Sequence, residues 1–170
     1  MPGPATEWAD HQPGAQVSEI SAGRVGQDPW DLQRFITAQN SGDGFEQIQR
    51  ELALGVKTSH WMWYVFPQMQ GLGTSPQAIE FGISGRVEAE AYLAHPVLGR
   101  RLIAASDALL AVEGRTAVQI LGTTDTMKLK SSATLFASVS PPDSVFHFIL
   151  AKYCDGVQDD VTLRKLTTAD

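Results

Sequence analysis

The sequence predicts an all-α protein, built as a single compact array of about seven to nine short helices. Apolar residues recur at intervals of three and four along several segments, which is the spacing of one helix face. Proline and glycine separate these segments, and several of them begin at Asp, Ser or Thr, which favour helix starts. We find no convincing pair of strands joined by a hairpin turn, so nothing in the pattern indicates a sheet.

Size and charge narrow the function classes. The chain has 170 residues, 43% of them hydrophobic and 19% charged, which is typical of one globular domain. A net charge of −6 excludes general binding of duplex nucleic acid, which requires a basic face. The single cysteine, Cys154, excludes an internal disulfide and fits a reducing compartment. The four histidines show no metal-ligand spacing, so no metal or other cofactor is predicted.

The N-terminal stretch, residues 1–27, is rich in Gly, Pro, Gln, Ser and Ala. Such a composition cannot bury enough apolar surface to offset the entropy of ordering, so we expect a disordered arm followed by one helical domain over residues 28–168. The chain has no apolar run long enough to span a membrane. Its first residues have neither a positive start nor an apolar stretch, so we expect no signal peptide. We therefore expect a cytoplasmic protein.

The first two helices have clear limits. Asp28 and Pro29 favour a helix start, and Asn40 to Gly42 favour its end. A second helix follows and ends at Gly55. The residues expected to face inward on these two helices are Leu32, Phe35, Ile36, Phe45, Ile48 and Leu52.

Residues 57–68 form the most unusual stretch, with two tryptophans in an apolar run that Pro67 closes. The run is too short and too uniform for periodicity to distinguish a buried helix from an extended segment. A glycine-containing loop comes next, and Ser75 with Pro76 then favours another helix start, with Ile79 and Ile83 facing inward.

The second half of the chain predicts six further helices. Ser84 is expected to cap one that His95 and Pro96 end, and the clearest apolar stripe follows over residues 98–112. A short helix over residues 117–121 ends at Gly122, and Thr124 or Asp125 is expected to cap the next one. The last two carry the apolar residues Val145, Phe146, Ile149, Leu150, Tyr153, Leu163 and Leu166.

Several sequence motifs along this chain occur together in one known family. They are Asp31-Leu32-Gln33-Arg34-Phe35, residues 57–68, Gly71-Leu72-Gly73-x-Ser75, Ala91-Tyr92-Leu93-x-His95-Pro96-x-Leu98-Gly99-x-Arg101-Leu102 and Asp125-x-x-Lys128-Leu129-x-Ser131-Ser132-x-Thr134-Leu135-Phe136. As a set, over about residues 28 to 166, they resemble the bacterial family called domain of unknown function 1810. The resemblance implies an all-helical, single-domain fold and no defined activity.

The resemblance carries two qualifications. Members of the family are sometimes labelled calpastatin, but calpastatins are long disordered inhibitors, whereas this chain predicts packed helices. The family usually has Tyr-Ala-Ile where this chain has Phe81, Gly82 and Ile83. If that tyrosine hydroxyl contacts a ligand in relatives, the contact is missing here.

The first candidate site lies in residues 57–68. His60, beside Ser59, titrates near neutral pH and suits proton transfer or anion binding. Trp61 and Trp63 can stack on a nucleotide base, and Gln68 can bond to its edge. The alternative for each is structural: a core histidine bonded to a carbonyl, two core aromatics, and a glutamine that closes the loop.

The second candidate site is a polar group that begins at Asp125. On a helix, Lys128, Ser131 and Ser132 lie within one turn of each other, with Asp125 on roughly the same side. Three hydroxyl residues, Thr134 included, near a lysine suit a phosphate, and the positive helix end adds to the attraction. The structural alternative is capping by Asp125, a solvated Lys128 and small hydroxyl residues that allow close helix packing.

Two functional hypotheses follow from these residues. The first is a pocket for an anionic, nucleotide-like molecule such as an ADP-ribosyl group, with glycosidic hydrolysis as the reaction to test and Asp125 and His60 as the catalytic pair. The choice of an ADP-ribosyl group is implied in part by a loose, fold-level similarity to small helical ADP-ribose-processing domains. Ser59, Trp61, Trp63, Gln68, Lys128, Ser131, Ser132 and Thr134 would bind the ligand. The second is a non-catalytic protein-interaction module in which the aromatic segment is purely structural. The first hypothesis requires His60, Gln68 and Lys128 to meet at one cavity.

Overall fold

The computed structural model describes residues 27–169, and that part of the chain is all-helical, as the sequence predicts. It contains ten helices, α1 (Gln33–Gln39), α2 (Gly44–Leu54), α3 (Met62–Val65), α4 (Pro76–Glu80), α5 (Arg86–Ala94), α6 (Leu98–Leu110), α7 (Ala117–Leu121), α8 (Thr123–Ala137), α9 (Val145–Tyr153) and α10 (Asp160–Ala169). The number exceeds the predicted seven to nine because residues 57–68, which the sequence left open between helix and extended segment, contain α3, a single turn of 4 residues. Residues 1–26 of the expected arm lie outside the described residues.

Helix α8 is the centre of the fold. It packs against α5, α7, α9 and α10, and the side chains of Leu129 and Leu135 on it are fully buried. A row of aromatic rings crosses the same core, with centroids 5.0 Å apart for Phe35 and Tyr92, and 5.4 Å apart for Tyr92 and Phe136. Tilted and edge-on rings at this spacing add to the stabilisation that burial already provides.

Two helix ends form as the sequence predicts. Gly55 ends α2 with a left-handed backbone of φ 69°, a conformation that glycine adopts without a steric penalty. His95 lies between α5 and α6, where its Nδ1 accepts hydrogen bonds from the backbone N–H groups of Val97 at 3.1 Å and Leu98 at 3.3 Å. Both residues therefore fix the angle at which one helix follows another.

Four details of the predicted elements are wrong. Ser84 does not cap α5, which has no side-chain cap, and instead donates through its N–H and its hydroxyl to the carboxylate of Glu88. Asp28 does bond to the N–H groups of Leu32 and Gln33, but α1 begins only at Gln33, because Asp31 takes a positive φ of 49°. Ile79 is 65% exposed, since α4 is a single turn that buries Ala78 instead. Helix α8 begins at Thr123 without a side-chain cap, and its Asp125 pairs with lysines rather than with backbone N–H groups.

The segment between α3 and α5 is held in place by backbone pairing. An isolated parallel bridge joins Met69 to Ile83, through Gln70 N–H to the Ile83 carbonyl and Ile83 N–H to the Gln68 carbonyl, both at 2.9 Å. Arg34 reaches the same region and donates to the carbonyls of Glu80 and Gly82 and to the carboxylate of Glu88. These bonds fix the loop over residues 68–75 beside α8.

Helix α5 and helix α6 approach very closely at Gly99. A Cβ atom at that position would lie 2.0 Å from the carbonyl oxygen of Leu93, which is far inside van der Waals contact. Glycine is therefore required there for steric reasons. None of the helices within residues 27–169 has the length and apolar character needed to cross a bilayer.

Candidate functional site

An open cleft lies between the loop over residues 68–75 and helix α8, with the start of α10 at one end. Its volume is about 630 Å³. The side chains that line it come from four elements and include Trp63, Gln68, Thr74, Ser75, Thr124, Met127, Lys128, Ser131, Asp159 and Val161. The cleft thus combines one aromatic ring, one cation, one carboxylate and several hydroxyl groups, with an apolar rim.

A lysine and a tryptophan are in direct contact at this cleft. The Lys128 ammonium lies 4.2 Å from the centroid of the Trp63 ring, within the distance of a cation–π interaction. Lys128 also forms an ion pair with Asp125 at 3.2 Å. The Lys128 side chain is 18% exposed, so its charge is partly withdrawn from water yet still reaches the cleft.

Asp125 joins this lysine to a second one. Its Oδ2 lies 2.7 Å from the Lys57 ammonium, while its Oδ1 is the partner of Lys128. Lys57 in turn lies 5.1 Å from the centroid of the Trp61 ring. The three ionised groups carry a net charge of +1 when Lys57 and Lys128 are protonated, so the cluster favours an anion.

Gln68 and Ser131 contribute hydrogen-bonding groups to the cleft. The Gln68 side chain is half-buried, and its backbone carbonyl is already bonded to Ile83, which fixes the residue. The Ser131 hydroxyl donates to the Met127 carbonyl at 3.2 Å, so its oxygen can still accept a bond from a ligand. Both residues therefore offer polar groups beside Lys128.

The carboxylate of Asp159 lines the other end of the cleft. Its Oδ2 accepts bonds from the N–H of Thr162 at 2.9 Å and from the hydroxyl of Thr162 at 2.6 Å, which caps α10. The Asp159 backbone N–H donates to the hydroxyl oxygen of Thr134 at 2.8 Å. Thr134 is fully buried and lies behind the cleft, where it connects α8 to α10.

Adjacent serines on α8 have different surroundings. Ser131 lines the cleft, whereas the neighbouring Ser132 is 1% exposed and its hydroxyl has no hydrogen-bond partner among the described residues. A small side chain there allows neighbouring helices to pack closely against α8. Of the polar group predicted on this helix, Lys128 and Ser131 therefore reach the cleft, Asp125 lies behind Lys128, and Ser132 and Thr134 are buried.

The first candidate site divides between two cavities. His60 is exposed and lines a second cavity of about 320 Å³, together with Ser59 and Trp61. Trp63 and Gln68 instead line the cleft that contains Lys128. The meeting of His60, Gln68 and Lys128 that the sequence hypothesis requires is therefore only partly present, because His60 lies elsewhere.

Glu51 on α2 holds the start of this segment, and sequence reasoning missed it. Its carboxylate accepts hydrogen bonds from the N–H of Thr58 at 2.9 Å, from the N–H and hydroxyl of Ser59, and from the indole N–H of Trp61 at 2.8 Å. Burial raises the pKa of Glu51, but these bonds and one from Gln47 outweigh it and lower the pKa to about 2. Ser59 and Trp61 therefore already have a structural partner.

Three further residues of the site also escaped sequence reasoning, namely Lys57, Asp159 and Met127. The one available signal concerned Glu51, which is a charged residue three positions after Ile48 on the apolar face of α2. A charge on such a face has to find partners. No group of three or more His, Cys, Asp and Glu within residues 27–169 could hold a metal ion.

Comparison with known proteins adds the family. A family model described as "Protein of unknown function (DUF1810)" matches residues 29–166. A solved structure, that of the conserved hypothetical protein Rv1873 from Mycobacterium tuberculosis, is 44% identical in sequence and has a TM-score of 0.79. The match covers 82% of this chain and 99% of that one. No curated protein matches. The chain therefore belongs to the DUF1810 family of proteins of unknown function.

Proposed function

We propose that this protein binds a small anionic, nucleotide-like molecule in the cleft between the loop over residues 68–75 and helix α8. The observation that carries the proposal is the contact between Lys128 and Trp63, 4.2 Å from ammonium to ring centroid, at the wall of a cleft of about 630 Å³. A cation beside an aromatic ring suits a ligand that has both a phosphate and a base.

The two groups would contribute in different ways. Stacking of a base on an aromatic side chain contributes about 1–3 kcal/mol, and it tolerates different bases because each has a π-face. A charge-assisted bond from Lys128 to phosphate is stronger than a bond between neutral groups. Gln68 and Ser131, in the same cleft, supply the polar contacts that would orient the ligand.

The cleft also has the size of a small-molecule site. Such sites typically enclose about 300–1,000 Å³ and are mostly apolar, with a few polar groups. Met127 and Val161, which are 69% and 41% exposed, provide apolar surface at this cleft. Exposed apolar side chains at the wall of a cleft are what a bound ring would cover.

We propose binding rather than turnover at this cleft. Hydrolysis of a glycosidic bond by His60 and Asp125 would require both groups to flank the same bond. His60 lines the other cavity, and the two carboxylate oxygens of Asp125 are each paired with a lysine. Turnover of a glycosidic substrate is therefore an outcome to be scored in the assay.

The test is calorimetric titration and thermal unfolding with ADP-ribose, adenosine 5′-monophosphate and adenosine. A ligand that binds only the folded state at 100 times its Kd stabilises it by about 2.7 kcal/mol, which raises the unfolding midpoint. We expect both phosphate compounds to bind, and adenosine to bind more weakly or not at all. Incubation with ADP-ribose followed by chromatography would reveal any hydrolysis.

Two variants give the matched comparison. Lys128→Met should abolish binding while the unfolding midpoint of the free protein changes little, because the lysine is partly exposed. Arg100→Met removes the same charge from the exposed side of α6 and should leave binding unchanged. If the wild-type chain binds none of the three compounds, the proposal is wrong, and the interaction-module hypothesis becomes the better one.

A further inference from the structure

Lys57 is the least exposed of the three charged groups in the cluster with Asp125 and Lys128, and it does not line the cleft itself. Its side chain is 8% exposed, and its ammonium contacts Asp125 at 2.7 Å and lies above Trp61. A buried ammonium without a partner is costly, so its position implies a tight pairing. This pairing affects Lys128, which contacts the other oxygen of the same Asp125 carboxylate.

We propose that Lys57 is a positioning residue for anion binding, which acts by drawing the charge of Asp125 away from Lys128. The inference rests on the proposed function of the cleft. Asp125 is 2.7 Å from Lys57 but 3.2 Å from Lys128, so the closer of its two ion pairs is the one away from the cleft. Lys128 therefore keeps positive charge that a ligand phosphate can use.

Two backbone hydrogen bonds fix the position of Lys57, one from its own N–H group and one from that of the next residue. Its own backbone N–H donates to the carbonyl of Ile120 in α7 at 2.8 Å, three residues before α8 begins. The next residue, Thr58, is bonded through its N–H to the buried carboxylate of Glu51. The ammonium of Lys57 is thus delivered to Asp125 by a backbone that is tied to both α7 and α2.

Charge counting gives the expected effect of removing Lys57. With Lys57 present, the cluster with Asp125 and Lys128 has a net charge of +1. Without it, Asp125 pairs with Lys128 alone and the net charge becomes zero. An anion then meets a neutralised lysine, and its affinity falls by about tenfold, as expected for the loss of one unit charge at short range.

The experiment compares four proteins by calorimetric titration with adenosine 5′-monophosphate: the wild type, Lys57→Met, the double variant Lys57→Met with Asp125→Asn, and Arg100→Met. Methionine keeps the length of the lysine stem above Trp61 and removes the charge. The double variant removes the carboxylate that pairs with Lys128, so the net charge of the cluster returns to +1. Unfolding midpoints measured alongside establish that each protein is folded.

The results expected are a Kd about tenfold weaker for Lys57→Met and a Kd within about threefold of the wild type for the double variant. A Lys57→Met Kd equal to that of the wild type overturns the inference while the proposed function stands. A double variant as weak as Lys57→Met also overturns it, because the loss would then come from packing. If the wild type does not bind, both proposals are wrong.

A single substitution decides the matter if Lys57→Met does not fold. Asp125→Asn keeps both lysines and removes the charge for which they compete. The inference predicts that adenosine 5′-monophosphate binds this variant at least as tightly as it binds the wild type. Weaker binding would mean that Asp125 supports the ligand site directly, which contradicts the role given to Lys57.

Discussion

The carboxylate of Glu51 offers the sharpest test of how residues 57–61 are held. It is 3% exposed and accepts hydrogen bonds from Thr58, Ser59, Trp61 and Gln47. Glu51→Gln keeps the shape of the side chain but places an N–H group among donors. We expect this substitution to lower the free energy of unfolding by about 2–4 kcal/mol at neutral pH, since buried donors lose their acceptor.

The lowered pKa of Glu51 gives a second estimate of its contribution to the free energy of unfolding, and it predicts how that contribution depends on pH. Bonds to the ionised form lower the pKa of Glu51 from 4.5 to about 2. Each pKa unit corresponds to about 1.4 kcal/mol, so the carboxylate contributes up to about 3 kcal/mol. Because the folded-state pKa is the lower one, this contribution is fully present above pH 4.5 and is lost as the pH falls through 2.

The assay is urea unfolding of the wild type and Glu51→Gln at several values between pH 7 and pH 2. The difference in unfolding free energy should be greatest at pH 7 and shrink towards pH 2, where the wild-type carboxyl becomes protonated. Glu51→Asp, which keeps the charge on a shorter side chain, is the matched control and should retain the pH dependence. A Glu51→Gln protein within about 0.5 kcal/mol of the wild type at pH 7 would refute the reasoning.

Three further substitutions test the packing and the ion pairs. Gly99→Ala should destabilise the protein by about 3 kcal/mol or more, because the added Cβ would lie 2.0 Å from a carbonyl oxygen. Alanine normally favours a helix over glycine, so an unchanged thermal midpoint would contradict this reasoning. Arg34→Met should lower the free energy of urea unfolding by about 3 kcal/mol, since it leaves the buried Glu88 carboxylate without its cation. A loss below about 1 kcal/mol would show that the two hydrogen bonds from Ser84 are enough to stabilise this carboxylate. Lys152→Met should cost only about 0.5–1 kcal/mol in the same assay, because this exposed ammonium bonds to the carbonyl of the last residue of α6 and to that of Val112 just beyond it. A larger loss would indicate a role beyond capping.

The sequence predicts those parts of the fold that depend on local pattern. The second helix ends at Gly55 and the joint at His95 forms because the backbone conformation and the cap are set by neighbouring residues. The apolar pattern predicts Ile79 on the inside, whereas its side chain is exposed, because whether a single turn buries one residue or the next depends on what packs against it. Local rules do not contain that information.

Prediction of the polar residues at the cleft is limited in the same way, because contacts between residues far apart in the sequence depend on tertiary packing. The proximity of Asp125 and Lys128 follows from helix geometry, since they are three residues apart on α8. The pairing of Asp125 with Lys57 joins residues 68 positions apart and depends on how α8 packs beside the segment that precedes α3. Ser131 and Ser132 are adjacent, yet only the first lines the cleft, and the sequence could not distinguish them.

The two tryptophans of residues 57–68 have different surroundings, although the sequence did not decide whether either belongs to the core or to a ligand site. Trp61 is 1% exposed and bonded to Glu51, so it belongs to the core, whereas Trp63 is half-buried and lines the cleft. Each ring has a lysine ammonium beside it, Lys57 at 5.1 Å and Lys128 at 4.2 Å. Because both lysines share Asp125, a change in the charge of the buried pair reaches the cleft without any movement of the backbone. We therefore expect the core and the cleft of this protein to be coupled through Asp125.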